Sequence, residues 1–274
     1  MNTGAMKKSI ATCFAFLALA GLVRGADADP LTDLVKSGDA DPFATVKWAA
    51  EQGMAKSQYS LGVCYETGAG VRKDLLEAVK WYRKAADQGD ARAQYSLGAC
   101  YKNGIGVVKD PVEAVAWYRK AAEQGDPSAQ SSLGSCCKNG IGVAKDPFEA
   151  VRWFRKAAEQ GDASGQSNLG FCYETGTGVE QDSVKSIRWY RKAAEQGMAM
   201  AQYNLGVCCK NGIGLGKDPV EAAKWFRRAA EQGIAKAQYN LGVCYETGAG
   251  VERDPAEAAR WFRMAADQGY VKAR

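Results

Sequence analysis

The chain has 274 residues, of which 36 are basic, 31 acidic and nine cysteine, and none is histidine. A net charge of only +5 argues against nucleic acid or an anionic membrane as the main partner, because both call for concentrated positive charge. The missing imidazole removes the commonest general base, the commonest metal ligand and the usual partner of a serine or cysteine nucleophile. Neither a metal nor any other cofactor is expected.

In chain order, the first segment stands apart from the fold. Lys7 and Lys8 precede an apolar run from Ile10 to Val23 that is too short to span a membrane and soon meets polar residues. Small-residue cleavage sites come next, at Val23-Arg24-Gly25 and at Ala26-Asp27-Ala28. The pattern predicts a signal peptide over 1–25, with cleavage as late as 28 the alternative, and so an exported protein, periplasmic or secreted. An uncleaved amphipathic start is the competing reading. Met6 followed by two lysines suggests that Met1 to Ala5 lie upstream of the working start, and Cys13 sits inside the apolar run rather than at its end, which argues against a lipid-anchored cysteine. Without Lys7, Lys8 and Arg24 the 36 basic residues fall to 33 against 31 acidic ones, a net charge of +2.

Residues 26–53 read as a shortened unit that forms an N-terminal cap, with Leu31, Leu34 and Val35, then Pro42 to Gly53 containing Trp48. Six full units come next, at 54–89, 90–125, 126–161, 162–197, 198–233 and 234–269. Gly62 recurs as Gly98, Gly134, Gly170, Gly206 and Gly242, and Trp81 as Trp117, Trp153, Trp189, Trp225 and Trp261. A fixed period of this size means stacked units that bury their apolar faces only against neighbours.

The unit 90–125 shows how each is built. Ala93, Leu97, Cys100 and Tyr101 lie at helical spacing, and Asn103-Gly104 ends that helix, glycine supplying the left-handed cap. Asp110 caps the second helix, Pro111 suits its first turn, and Glu113 is expected to complete a capping box. Ala114, Trp117, Tyr118, Ala121 and Ala122 form the second buried stripe, and Gly125 stops the helix. Small residues at Gly62 and its equivalents allow close helix approach. The expected fold is all-α, a right-handed superhelical solenoid of antiparallel helix pairs. At the far end, 270–274 begin a truncated seventh unit, and the last second helix is expected to expose Trp261, Phe262, Ala265 and Ala266. End-to-end self-association through 255–274 and a chain cut short of its natural terminus are the two readings of that feature.

These residues carry a resemblance. Ala-Gln-Tyr-x-Leu-Gly-x-x-Tyr from Ala93 to Tyr101, then Gly-x-Gly-Val-x-x-Asp, then Glu-Ala-x-x-Trp-Tyr-x-x-Ala-Ala-x-x-Gly resemble the Sel-one-like repeat family, kin to tetratricopeptide repeats, over 54–269 without a gap. The resemblance implies a protein-interaction adaptor of bacterial exported or membrane-associated complexes, with the partner left open. It also admits, as an alternative, the penicillin-binding or β-lactam-hydrolysing activity described for some cysteine-rich exported relatives. No serine–lysine pair of the Ser-x-x-Lys type stands where that chemistry expects it.

Several motifs have bland readings. Cys64, Cys100, Cys136, Cys172, Cys208 and Cys244 share one repeat position; equivalent positions in adjacent hairpins lie about 10 Å apart, beyond the ~7 Å limit for bridging. Cys137 and Cys209 replace a core tyrosine. The cysteine-rich exported branch that the resemblance brings in staples each hairpin with cysteines in both helices, and here the second helix has none. Buried free thiols are expected, with a disulfide and a metal or catalytic role as alternatives. The Gly-x-Gly loops join helix to helix with no preceding strand and read as turns. The basic row Arg83-Lys84, Arg119-Lys120, Arg155-Lys156, Arg191-Lys192 and Arg227-Arg228 reads as a solvated outer face, an acidic partner or envelope surface being the alternative. Glu66, Glu174 and Glu246 are whole units apart and do not converge as a glycosidase pair. No enzyme activity is expected.

The residues that need not serve the core lie on the first helices. By analogy with tetratricopeptide arrays, a concave groove is expected to hold a protein or peptide partner. It is lined by Tyr59, Tyr95, Ser131, Ser167, Tyr203 and Tyr239, by Phe171 in a second row, and by Lys102, Lys138, Glu174 and Lys210 in a third. Loss of the ring at Ser131 and Ser167 predicts a polar waist, with Tyr95 and Tyr203 gripping a peptide on either side. Packing of the tyrosines between units is the competing reading.

Overall fold

A computed structural model describes residues 41–214 and 216–270. The predicted signal peptide, the start of the capping segment and residues 271–274 of the seventh unit lie outside the described residues. Thirteen helices are present among those described, and no strand. They are α1 Pro42–Glu51, α2 Ala55–Thr67, α3 Leu75–Asp87, α4 Ala91–Asn103, α5 Pro111–Glu123, α6 Pro127–Asn139, α7 Pro147–Glu159, α8 Ala163–Thr175, α9 Ser183–Glu195, α10 Ala199–Asn211, α11 Pro219–Glu231, α12 Ala235–Thr247 and α13 Pro255–Asp267. The described residues divide into two compact units, one of residues 41–129 with Ile141–Val143, the other of Gln130–Gly140 with the described residues from Ala144 to Tyr270.

In the first unit, α2 with α3 and α4 with α5 form helical hairpins, and each packs on its neighbour. Ala93 and Leu97 from α4 meet Tyr82, Ala85 and Ala86 from α3 and Trp117 from α5 in one buried cluster. The close approach within a hairpin depends on glycine: a Cβ at Gly98 would stand 2.7 Å from the Tyr118 ring. The second unit repeats the plan, with Leu205, Trp225, Phe226 and Leu241 sharing a core with Tyr190 and Trp261.

Both helix ends are set by local chemistry. Gly104 takes φ 72° at the end of α4 and its N–H donates to the Cys100 carbonyl, the left-handed cap only glycine adopts without cost. Asp110 Oδ1 then accepts from the N–H groups of Val112 and Glu113 at 3.0 Å. Glu113 does not complete the expected capping box. The Asp110 N–H is taken by the Tyr101 carbonyl at 2.9 Å, which closes the loop, and Glu113 Oε1 instead accepts from the Trp117 indole at 3.0 Å.

The last hairpin also departs from expectation. Trp261 and Ala265 are 8% and 0% exposed because they face α12 within their own hairpin. Ala259 and Ala266 are exposed, whereas their counterparts Ala223 and Ala230, each covered by the next hairpin, are 1% exposed. Trp48 in α1 is 52% exposed.

Candidate partner-binding face

Amphipathic first helices turn one face to the second helices and leave another to solvent. The tyrosine row straddles that boundary. In the first unit Tyr59 and Tyr95 are half-buried, each ring set 5.8 Å from the ring beneath it, Tyr82 and Tyr118. In the second unit Tyr203 and Tyr239 pack likewise on Phe226 and Phe262, at 6.2 and 5.4 Å. The tyrosines therefore contribute to packing and keep an exposed edge at the same time. Arg92 adds a cation 4.7 Å from the Tyr59 ring centre.

Where the row changes to serine, the surface is not the polar waist the sequence suggested. Ser131 and Ser167 are 4% and 7% exposed, so neither hydroxyl lines an open surface. In place of a tyrosine ring, the Lys138 ammonium lies 5.7 Å from the Phe154 ring centre and 5.0 Å from that of Phe171. Phe171 is the accessible side chain here, 40% exposed. Of the expected contact residues, Lys138 and Phe171 are brought together by the fold.

The charged row is tied to neighbouring helices rather than left loose. Glu174 accepts from the buried Tyr190 hydroxyl at 2.6 Å, as Glu66 does from Tyr82 at 2.5 Å. Burial, aided by these carboxylates, holds both phenols far above the usual tyrosine range. Lys138 and Lys210 donate to Oδ1 of Asn168 and Asn240 on the next first helix, each at 3.1 Å. Lys102 is half-buried on α4.

Sequence patterning alone assigned no role to two glutamines in every unit, and these prove to be joints of the stack. Gln94 is buried in α4, and its Nε2 donates to the Ala86 carbonyl of the preceding hairpin at 3.1 Å. Its Oε1 accepts from Gln124, which ends its own hairpin, at 2.7 Å. In the second unit Gln202 bonds the Ala194 carbonyl at 3.1 Å and accepts from Gln232 at 2.8 Å. The signal was available: these glutamines recur in every full unit, more faithfully than the tyrosines.

The basic row is likewise engaged. Lys120 and Lys156 lie 3.9 and 4.4 Å over Trp117 and Trp153 of their own helices. Arg155 reaches the Tyr173 hydroxyl at 3.2 Å, and Arg191, where Cys209 replaces that tyrosine, turns to Glu221 at 3.6 Å. All eight cysteines among the described residues are buried. Burial raises the Cys208 thiol to about 12, with Glu174 adding to the shift. Among the described residues no helix is long and apolar enough to cross a membrane.

The repeat has known counterparts. A family model described as the Sel1 repeat matches residues 55–90, 91–126, 127–162, 163–198, 199–234 and 235–270. A Sel1 repeat protein from Oxalobacter formigenes is similar in structure, with a TM-score of 0.76 and 35% identity, covering 86% of this chain and 95% of that one. The c5321 protein, a protective antigen present in uropathogenic Escherichia coli strains, is similar with a TM-score of 0.73 and 37% identity. That match covers 98% of this chain and 57% of that one, so the chain spans little more than half of it. Among curated proteins, DAP3-binding cell death enhancer 1 of Rattus norvegicus is 51% identical over 37 residues, which is 14% of this chain and 7% of the relative.

Proposed function

This chain belongs to the Sel1 repeat family, and on that footing we propose that it is a non-enzymatic adaptor whose first-helix faces bind a protein or peptide partner. Proteins built of this repeat generally mediate protein–protein interaction. The observation that carries the reading is the tyrosine row. Tyr59, Tyr95, Tyr203 and Tyr239 are held rigidly by rings beneath them and still offer half-buried, amphipathic edges. Such side chains contribute strongly to contacts because little freedom is lost on binding.

The apolar run after Lys7 and Lys8 supports export and work outside the cytoplasm. Cell fractionation with N-terminal sequencing tests this, and an intact Met1 or Met6 on the cytoplasmic protein would refute it. Ala259 and Ala266 on α13 supply a small apolar face on which a second copy packs. A strictly monomeric light-scattering mass at high concentration would remove that part. The hydrolase alternative is checked by nitrocefin, which an adaptor leaves unturned above a boiled control.

The decisive experiment pairs capture with substitution. Tyr59→Ala with Tyr95→Ala, and separately Tyr203→Ala with Tyr239→Ala, are expected to weaken capture of the partner from envelope or medium while the helical signal is retained. Unchanged capture by both folded variants would refute the proposal.

A further inference from the structure

The second unit departs from its own repeat at one place, and the departures converge. Ser131 and Ser167 are small and buried where Tyr203 and Tyr239 carry rings. Phe171 occupies a row that holds Val207 and Val243 in the next two hairpins, and it is 40% exposed. One side of the Phe171 ring faces the Lys138 ammonium at 5.0 Å. Lys138 is half-buried, its hydrogen-bond acceptor is the neutral Asn168 amide at 3.1 Å, and no carboxylate of the described residues pairs with it. The neighbouring carboxylate of the row, Glu174, is turned to the Tyr190 hydroxyl at 2.6 Å. A cation taken partly out of water with only a neutral acceptor gains from an incoming anion more than a fully solvated lysine does. An exposed ring with a cation on one side offers its remaining surface for aromatic stacking.

Building on the reading of the first-helix face as the partner surface, we propose that Phe171 and Lys138 form an anchoring subsite for an acidic peptide segment that carries an aromatic side chain. The partner's ring stacks on the exposed part of Phe171, where the serines leave no competing tyrosine, and a flanking carboxylate pairs with Lys138. The occupant is a stretch of polypeptide and not a lipid surface, because the feature is a single ring and a single cation on one hairpin rather than a broad basic face.

The test uses the full chain and three fluorescein-labelled peptides read by anisotropy. One alternates aspartate with tyrosine and serine, the second has alanine for tyrosine, and the third has lysine for aspartate. The first is expected to bind at least about tenfold more tightly than either control, a difference that falls as salt is raised. Phe171→Ala is expected to lower its affinity about tenfold, Phe171→Tyr to restore it, and Lys138→Gln to weaken it and flatten the salt dependence. Circular dichroism confirms that each variant is folded. Failure of the first peptide to bind, equal binding of all three, or indifference to Phe171→Ala would overturn the subsite. Partner capture through the tyrosine row involves neither Phe171 nor Lys138, so its persistence in Phe171→Ala would leave the adaptor reading standing while this one fell.

Discussion

The Gln124 amide donates to Oε1 of Gln94 at 2.7 Å, and Gln94 in turn donates to the Ala86 carbonyl at 3.1 Å. One buried amide thus joins its own hairpin to the one before it. Gln94→Met keeps the volume but removes both bonds of the buried amide at the joint. It is expected to lower stability by about 1–3 kcal/mol in urea unfolding. Gln124→Met, at an exposed position, is expected to cost less than about 1 kcal/mol. Equal effects at the two positions would contradict the joint.

Two glycines separate backbone conformation from spacing. Gly161 has φ +91° with nothing near its missing Cβ, whereas Gly178 has φ +68° and a Cβ there would run into the Pro147 carbonyl of the previous hairpin. Gly161→Ala carries only the conformational penalty, about 1 kcal/mol. Gly178→Ala adds a backbone clash and is expected to lose about 3 kcal/mol or more. Denaturant midpoints of the two variants check the difference.

The hairpins were legible in the sequence because their signals are local: the aspartate cap, the proline after it, the glycine stop and the apolar spacing all act within one helix. Glutamine pairing was not, since its meaning depends on contact across hairpins, although its recurrence marked it. Glu113 was misassigned for a related reason. The capping box and the indole bond use the same carboxylate, and only the loop-closing bond from Asp110 to Tyr101 decides between them. At the candidate face, sequence spacing could not tell that Ser131 and Ser167 are buried, or that Lys138 reaches Phe171, because both depend on packing across helices.

The buried thiols predict an alkaline limit to stability. Cys208 is raised from 9.0 to about 12 by burial, so the folded chain favours the protonated thiol. The unfolded chain releases that proton at lower pH. Stability is therefore full below about pH 9 and is lost progressively as pH rises towards 12. Urea midpoints are expected to fall over that window, with a shallower fall for Cys208→Ala despite its lower starting stability. Iodoacetamide at neutral pH is expected to label the folded protein slowly and the unfolded protein fast. Rapid labelling of the folded chain would contradict burial.

The adaptor reading is tested most directly by site-specific photo-cross-linking in the native cell. A benzoyl-phenylalanine probe is placed in turn at Val207, on a first helix, and at Arg188, on the exposed side of a second helix. Partner adducts are expected from Val207, weakened by Tyr203→Ala with Tyr239→Ala, and not from Arg188. Adducts from Arg188 alone, or equal yields from both positions that ignore the tyrosine substitutions, would contradict it.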